Sequence, residues 1–203
     1  MLEAYRQSMV ATLPAAVVPA AGASSRMGRP KLALPWGAST VLESTLAALR
    51  EGGVPAAVVV LAPAGPLADW EPPAGVHTVV NPDPARGMAS SILTGIAALP
   101  AVPDPLLVCP ADLPALRAST VAALLAAYAE RGGIVVPRHG RRRGHPVLIS
   151  PRWQARIPEV AGGEGGLRRI LELAAGAVHE LPVDDPGSVR DVDTPEDYAR
   201  LLP

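Results

Sequence analysis

The sequence predicts an α/β fold, with a mostly parallel sheet covered by helices on both faces. Two observations carry that reading. Short apolar runs alternate with segments of helical periodicity, and this alternation builds parallel sheets flanked by helices. The apolar runs are also continuous rather than alternating, as expected of strands buried on both sides. Composition can supply such a core. Hydrophobic residues make up 49% of the 203, and with no Phe, three Trp and three Tyr the core must be built of Ala, Val, Leu and Ile.

The elements follow in order. Residues 15–19 read as the first strand. A helix is expected over 39–51, with Ser39 and Ser44 near its start and Gly52-Gly53 as its stop. Strands are expected at 56–62 and 76–80, then a helix at 88–99 and a strand at 105–109. The Ala/Leu-rich stretch 118–131 starts a helix at Ala118 or Ser119 and ends it at Gly132-Gly133. Strands at 134–137 and 145–149 flank a basic segment with Arg138, Arg141, Arg142 and Arg143, expected to be a hairpin or exposed loop. A helix at 166–174, a strand at 177–182 and a helix at 195–202 complete the chain. Thr194-Pro195-Glu196-Asp197 has the form of a capped helix start with Pro at the first helical position. The Pro/Gly-rich stretch 63–75 is the expected insertion-tolerant loop. Length favours a single domain over 1–203, with residues 1–14 as an N-terminal extension.

Several function classes are excluded. A net charge of −1 gives no global basic footprint for nucleic acid. One cysteine excludes an intrachain disulfide, and no Cys/His zinc spacing occurs. The first 14 residues lack the form of a signal peptide, and no stretch approaches ~20 uninterrupted apolar residues. The expectation is a cytoplasmic protein with no membrane partner.

The most informative segment follows the first strand: Ala20-Ala21-Gly22-Ala23-Ser24-Ser25-Arg26-Met27-Gly28-Arg29-Pro30-Lys31. The chain has 18 Lys and Arg residues, and Lys31 is its only lysine. Small residues let backbone N–H groups cradle an anion. Arg26 offers a planar fork for phosphate oxygens and Lys31 a compact charge. The alternative is a surface turn with two solvated cations. The Walker spacing is absent, since five residues separate Gly22 from Gly28 and Arg29-Pro30 precede Lys31. The dinucleotide fingerprint is absent too, because position 20 is Ala. Pro30 disfavours a helix starting at Gly28, so the loop runs past Lys31. Asn81, the only asparagine, opens a second loop, Asn81-Pro82-Asp83-Pro84-Ala85-Arg86-Gly87.

In parallel sheets ligands bind beyond the carboxyl ends of the strands, so these two loops and Asp112 are expected to converge. A carboxylate there suits Mg²⁺, which takes one or two carboxylates together with substrate phosphates. The alternative for Asp112 is a cap or turn residue for the helix at 118. Asp191 and Asp193 offer a second metal carboxylate, or only a turn before the last helix. Asp184-Asp185 reads as a solvated turn, and Cys109 as a small buried hydrophobe. No nucleophile elbow is visible. An anion cradle, a lysine and a strand-end aspartate suit direct phosphoryl or nucleotidyl transfer, which proceeds by positioning and charge neutralisation.

The loop Pro19–Lys31 resembles the signature of nucleotidyltransferases related to molybdenum cofactor guanylyl- and cytidylyltransferases. Four further segments fit in the same order: Asn81-Pro82 through Gly87-Met88-Ala89-Ser90-Ser91-Ile92, Ala111-Asp112-Leu113-Pro114, Arg143-Gly144-His145-Pro146-Val147, and Asp191-Val192-Asp193-Thr194-Pro195-Glu196-Asp197. The resemblance implies a Rossmann-like three-layer sandwich of the nucleotide-diphospho-sugar transferase type. It also implies a nucleoside triphosphate bound with Mg²⁺ and a phosphate-bearing acceptor that attacks the α-phosphate. Arg26 and Lys31 would hold phosphates and, with Asp112, form the catalytic set. The nucleotide would meet Ala20, Ala21, Gly22, Ser24, Ser25, Arg26, Met27, Gly28 and Lys31 of the first loop. Asn81, Asp83, Gly87 and Ser90 of the second segment would join them, with Asn81 and Asp83 near the base and ribose. Asp112, with Asp191 or Asp193, would bind the metal, and His145 would face the acceptor.

Within that family Leu-Ala-Gly-Gly marks guanylyl enzymes and Leu-Ala-Ala-Gly cytidylyl enzymes. Pro19-Ala20-Ala21-Gly22 therefore favours CTP, with a molybdopterin-type acceptor and a molybdoenzyme apoprotein as a further partner. Two positions depart from the pattern: Pro19 replaces Leu, and Glu164 stands where Asp is usual, on the acceptor side. Two other readings compete. One is transfer of a cytidylyl or guanylyl group to a sugar- or alcohol-phosphate. The other is a non-catalytic cofactor-insertion partner, against which the retained Lys31 and Asp112 argue.

Overall fold

The computed structural model describes residues 13–22, 24–161 and 167–202. Glu164 and most of the N-terminal extension lie outside these residues.

Strand β1 (Ala15–Pro19) lies at the centre of the sheet. It pairs in parallel with β4 (Ala56–Leu61) on one side and with β6 (Leu106–Val108) on the other. Parallel β5 (Val76–Val80) extends the sheet beyond β4. On the other flank β9 (Val147–Ile149) runs antiparallel between β6 and β7 (Ile134–His139), and β10 (Val178–Pro182) pairs in parallel with β7. The basic segment forms the expected hairpin, with β8 (Arg142–Arg143) folding back on β7. The mostly parallel sheet is thus present, with β9 and the short β8 running against the other strands. A parallel β7–β9 pair would need a long crossover, whereas the short hairpin returns the chain antiparallel.

The continuous apolar strands are explained by two cores. Val17 faces one core, and Ala16 and Val18 face the other; all three are fully buried. Helices α1 (Val41–Glu51) and α3 (Ala118–Arg131) cover the Ala16/Val18 face with Leu42, Leu46, Leu49, Val121 and Leu124. Helix α2 (Met88–Ala97) covers the Val17 face through Ile92, helped by the short helices α5 (Ile157–Ala161) and α6 (Leu167–Leu173) through Ile157, Val160 and Ile170. The short α4 (Pro151–Gln154) precedes α5.

Local chemistry sets the helix starts. Thr40, not Ser39, caps α1: its hydroxyl accepts from the Glu43 N–H while the Glu43 carboxylate accepts from the Thr40 N–H. Ser39 instead belongs to a two-stranded hairpin of β2 (Pro35–Trp36) and β3 (Ser39–Thr40), which sequence periodicity did not reveal. Helix α7 (Pro195–Leu201) starts as expected, with Thr194 and Asp197 forming a capping box. Asp112 does not cap α3. Arg117 holds that position without a side-chain bond, and its N–H is taken by Asp185. The expected solvated turn at Asp184-Asp185 is therefore corrected, because Asp185 is only 1% exposed.

Candidate active site at the strand ends

The sheet order changes direction about β1: the chain runs from β1 to β4 on one side and later returns to β6 on the other. Such a switch point opens a crevice at the carboxyl ends of the strands. A cavity of about 480 Å³ lies there, lined by Ala20, Ala21, Gly22, Arg26 and Lys31 after β1, by Gly87, Met88 and Ser91 around the start of α2, and by Pro110 and Asp112 after β6. His145, Asp191 and Asp193 close it.

Lys31 opens a short 3₁₀ turn, Lys31–Ala33, rather than an α-helix. Its Nζ lies 2.5 Å from Asp112 Oδ2 and 2.7 Å from Asp193 Oδ1. Arg26 Nη1 lies 2.7 Å from Asp193 Oδ2. The backbone N–H of Val192 donates to the Asp112 carbonyl at 3.0 Å and so pins Asp191 and Asp193 beside Asp112. Carboxylate oxygens of Asp112, Asp191 and Asp193 lie within 4.8 Å of one another.

Charge states follow from these contacts. Burial disfavours the charged ammonium of Lys31, but Asp112 and Asp193 outweigh it and hold the pKa above its usual value. Asp112 is pulled both ways. Burial raises its pKa, the Lys31 ammonium lowers it, and burial wins. Asp193, more exposed, is held below the carboxylate range, first by its hydrogen bond to Lys31. Burial lowers the pKa of His145 against the pull of Val108, Asp112 and Asp191. Among the described residues, the buried side-chain atoms Asp112 Oδ1 and His145 Nδ1 have no hydrogen-bond partner. Burial likewise pushes the fully buried Cys109 thiol up, so it is inert at neutral pH.

The other loop residues take different places. Ser24 Oγ accepts from the Lys31 N–H at 3.4 Å, Met27 is core, and Ser25 and Gly28 are exposed. Asn81 is buried. Its amide donates to Ser90 Oγ and Ser91 Oγ, and its oxygen accepts from the Asp83 N–H. It thereby ties the second loop to α2. Asp83 is exposed, and Ser90 donates to the Gly87 carbonyl.

A second cavity, also about 480 Å³, adjoins the first and shares Gly87, Met88, Pro110 and His145 with it. Its walls are Ile92, Val108, Val136, Val147, Leu167 and Leu171. Arg86, Arg143 and Arg168 also line it, and among the described residues no acidic one does. Sequence reasoning missed this cavity and the exposed Met88 between the two. An apolar residue at an otherwise polar loop–helix junction was the available signal for Met88.

A family model described as the MobA-like NTP transferase domain matches residues 16–181. The chain belongs to that family. As a MobA-like NTP transferase, it is a nucleotidyltransferase by fold and by family. The matched region takes in the Lys31 loop, Asp112 and His145, and it ends before Asp191 and Asp193. Among similar curated proteins, the nicotine blue oxidoreductase of Paenarthrobacter nicotinovorans is 33% identical over 198 residues, 92% of this chain and 95% of that protein. The molybdenum cofactor cytidylyltransferase of Escherichia coli K12 is 28% identical over 188 residues, 90% and 92% of the two chains. Among solved structures, that of Rv0371C from Mycobacterium tuberculosis H37Rv in complex with manganese superposes with a TM-score of 0.77 at 30% identity, covering 95% of this chain and 99% of that one. Among the described residues of this nucleotidyltransferase, no helix is long and apolar enough to cross a membrane.

Proposed function

We propose that this nucleotidyltransferase transfers CMP from CTP to a molybdopterin-type phosphate and releases pyrophosphate. The observation that carries the proposal is the Asp112–Asp191–Asp193 group with Lys31 bridging two of its carboxylates, set against the small-residue loop after β1. The donor set fits a hard divalent cation. It is all carboxylate oxygen, and Asp112 Oδ1 is buried without a partner among the described residues. Asp112, with Asp191 or Asp193, would hold Mg²⁺, which supplies charge neutralisation on the phosphates when bound. The mycobacterial neighbour solved in complex with manganese supports a divalent cation in a protein of this fold.

In this reading the backbone of Ala20–Gly22 cradles the triphosphate, and Arg26 neutralises it. Lys31 leaves one carboxylate to meet the phosphates. An acceptor phosphate oxygen attacks the α-phosphorus, the bond to the β-phosphate oxygen breaks, and pyrophosphate departs with the electron pair. No protein nucleophile takes part, consistent with the inert Cys109. Asn81 and the Ser90–Ser91 pair shape the base-side loop, while His145 stands between nucleotide and acceptor. The second cavity supports a bulky anionic acceptor: its apolar walls suit a flat ring system and its arginines a phosphate.

The name of the Paenarthrobacter relative raises an oxidoreductase reading. The acid–lysine group and the absent dinucleotide fingerprint favour nucleotidyl transfer instead. The test is pyrophosphate release from CTP or GTP with Mg²⁺, scored against molybdopterin-type, sugar- and alcohol-phosphate acceptors. Release with CTP and the pterin acceptor is expected. Release only with another phosphate moves the acceptor, and no release with any acceptor refutes transfer.

A further inference from the structure

Asp185 is a buried carboxylate that the proposed reaction does not use. Its Oδ2 accepts from the Arg117 N–H at 3.0 Å and the Thr120 hydroxyl at 2.7 Å, both at the start of α3. Its Oδ1 accepts from the Gly187 N–H at 2.9 Å. Its own carbonyl accepts from the Ser188 hydroxyl at 2.7 Å. A carboxylate taken out of water is costly unless donors replace the solvent, and here backbone and hydroxyl donors do so.

The turn it holds, Pro186–Val189, touches the site in two places. The Ser188 carbonyl accepts from the His145 N–H at 2.8 Å. A Cβ at Gly144 would lie 2.3 Å from that carbonyl, so only glycine allows the approach. Three residues after Ser188 comes Asp191, and the next N–H, of Val192, donates to Asp112. Gly187 itself is pressed against Ala115, where a Cβ would lie 2.0 Å from the carbonyl oxygen. One turn thus joins the start of α3, the His145 turn and the two C-terminal acids.

We propose that Asp185 is a positioning residue: its carboxylate fixes the 186–189 turn that sets His145 on one side of the site and Asp191 and Asp193 on the other. An apolar residue would fill the same space. It would leave the N–H groups of Arg117 and Gly187 without an acceptor and the turn free to shift. The link to metal rests on the functional reading above. The link to His145 is purely geometric.

The test compares Asp185→Asn with Gln154→Ala. Gln154 is buried, donates to the carbonyls of Pro103 and Ile149, and lines neither cavity. Both variants are measured well below their Tm, by Mn²⁺ binding followed by electron paramagnetic resonance and by amide exchange at His145 and Val192. Asp185→Asn is expected to weaken Mn²⁺ binding about tenfold, as loss of a partner that orients metal ligands does, and to speed exchange at both amides. Gln154→Ala should lower Tm and change neither. Asp185→Glu, one methylene longer, should not rescue. Unchanged Mn²⁺ affinity and unchanged exchange in a folded Asp185→Asn protein would overturn the proposal. If Asp185→Asn does not fold, Thr120→Val, which removes one donor, decides it: faster exchange at His145 and Val192 supports the role and unchanged exchange refutes it. Wild-type protein that binds no Mn²⁺ counts against the metal site, and the exchange arm still decides the positioning role.

Discussion

The two adjoining cavities are alike in size and opposite in chemistry. The first is lined by charges of both signs, with Lys31 and Arg26 against Asp112, Asp191 and Asp193. The second has apolar walls and, among the described residues, charged groups of one sign, at Arg86, Arg143 and Arg168. Balanced charge suits a site where phosphate and a cation must be neutralised together and then released. Cations over an apolar floor suit retention of one amphipathic anion. Under the proposed function, reaction chemistry and acceptor choice would be separable, with His145, Met88, Gly87 and Pro110 as the shared wall.

The sharpest way to break this contrast is at Lys31. Lys31→Ala should lower turnover by about two orders of magnitude or more, as loss of one preorganised charge does. It should also tighten Mn²⁺ binding in the absence of nucleotide, because Nζ no longer occupies Asp112 and Asp193. Steady-state kinetics and metal titration check the pair. Near-normal turnover in the folded variant would remove Lys31 from the reaction.

The next effect concerns the base. CTP is expected over GTP by at least about tenfold in kcat/KM, equivalent to ~1.4 kcal/mol. Ala21→Gly should relax the preference by enlarging the loop that lines the first cavity. A GTP preference in the wild type would reverse the cytidylyl reading and leave nucleotidyl transfer standing.

A smaller effect is expected in the second cavity. Arg86→Ala should raise the acceptor KM roughly fivefold, the effect of about 1 kcal/mol from one exposed charged contact, with the CTP KM unchanged. Equal changes in both would merge the two cavities into one site.

The smallest effect is on stability. Burial holds the pKa of His145 below the ordinary imidazole value of about 6.5. Between the folded and unfolded values the unfolded chain therefore binds more protons. The contribution of neutral His145 is fully present above about pH 6.5 and is lost as pH falls through the lower, folded value. Tm measured against pH should fall on the acid side in the wild type, and His145→Gln should flatten that limb.

Much of the fold was legible because its signals are local. The strand at 15–19 and the helix at 118–131 were readable from apolar runs and bounding glycines, and α7 from its Thr194–Asp197 capping box. The helix expected from 39 begins at Val41, because Thr40 forms the capping box with Glu43 and that bond is not readable from residue type alone. The site was legible in part. Lys31, Asp112 and Asp193 were each singled out by residue type and place in a loop. That one ammonium bridges both carboxylates is a contact across 81 and 162 residues.

The sequence by itself determined the α/β class, the order of most elements and the residue types able to meet a phosphate, because periodicity, caps and turn residues act within a few positions. Tertiary structure decided the rest. It inserted β9 between β6 and β7 and buried Asp185 under α3. It also gathered arginines from 86, 143 and 168 around one apolar cavity. The physical reason is common to all three. What a strand pairs with, and whether a polar group is solvated or buried, depend on segments distant in the chain, and local pattern carries no information about them.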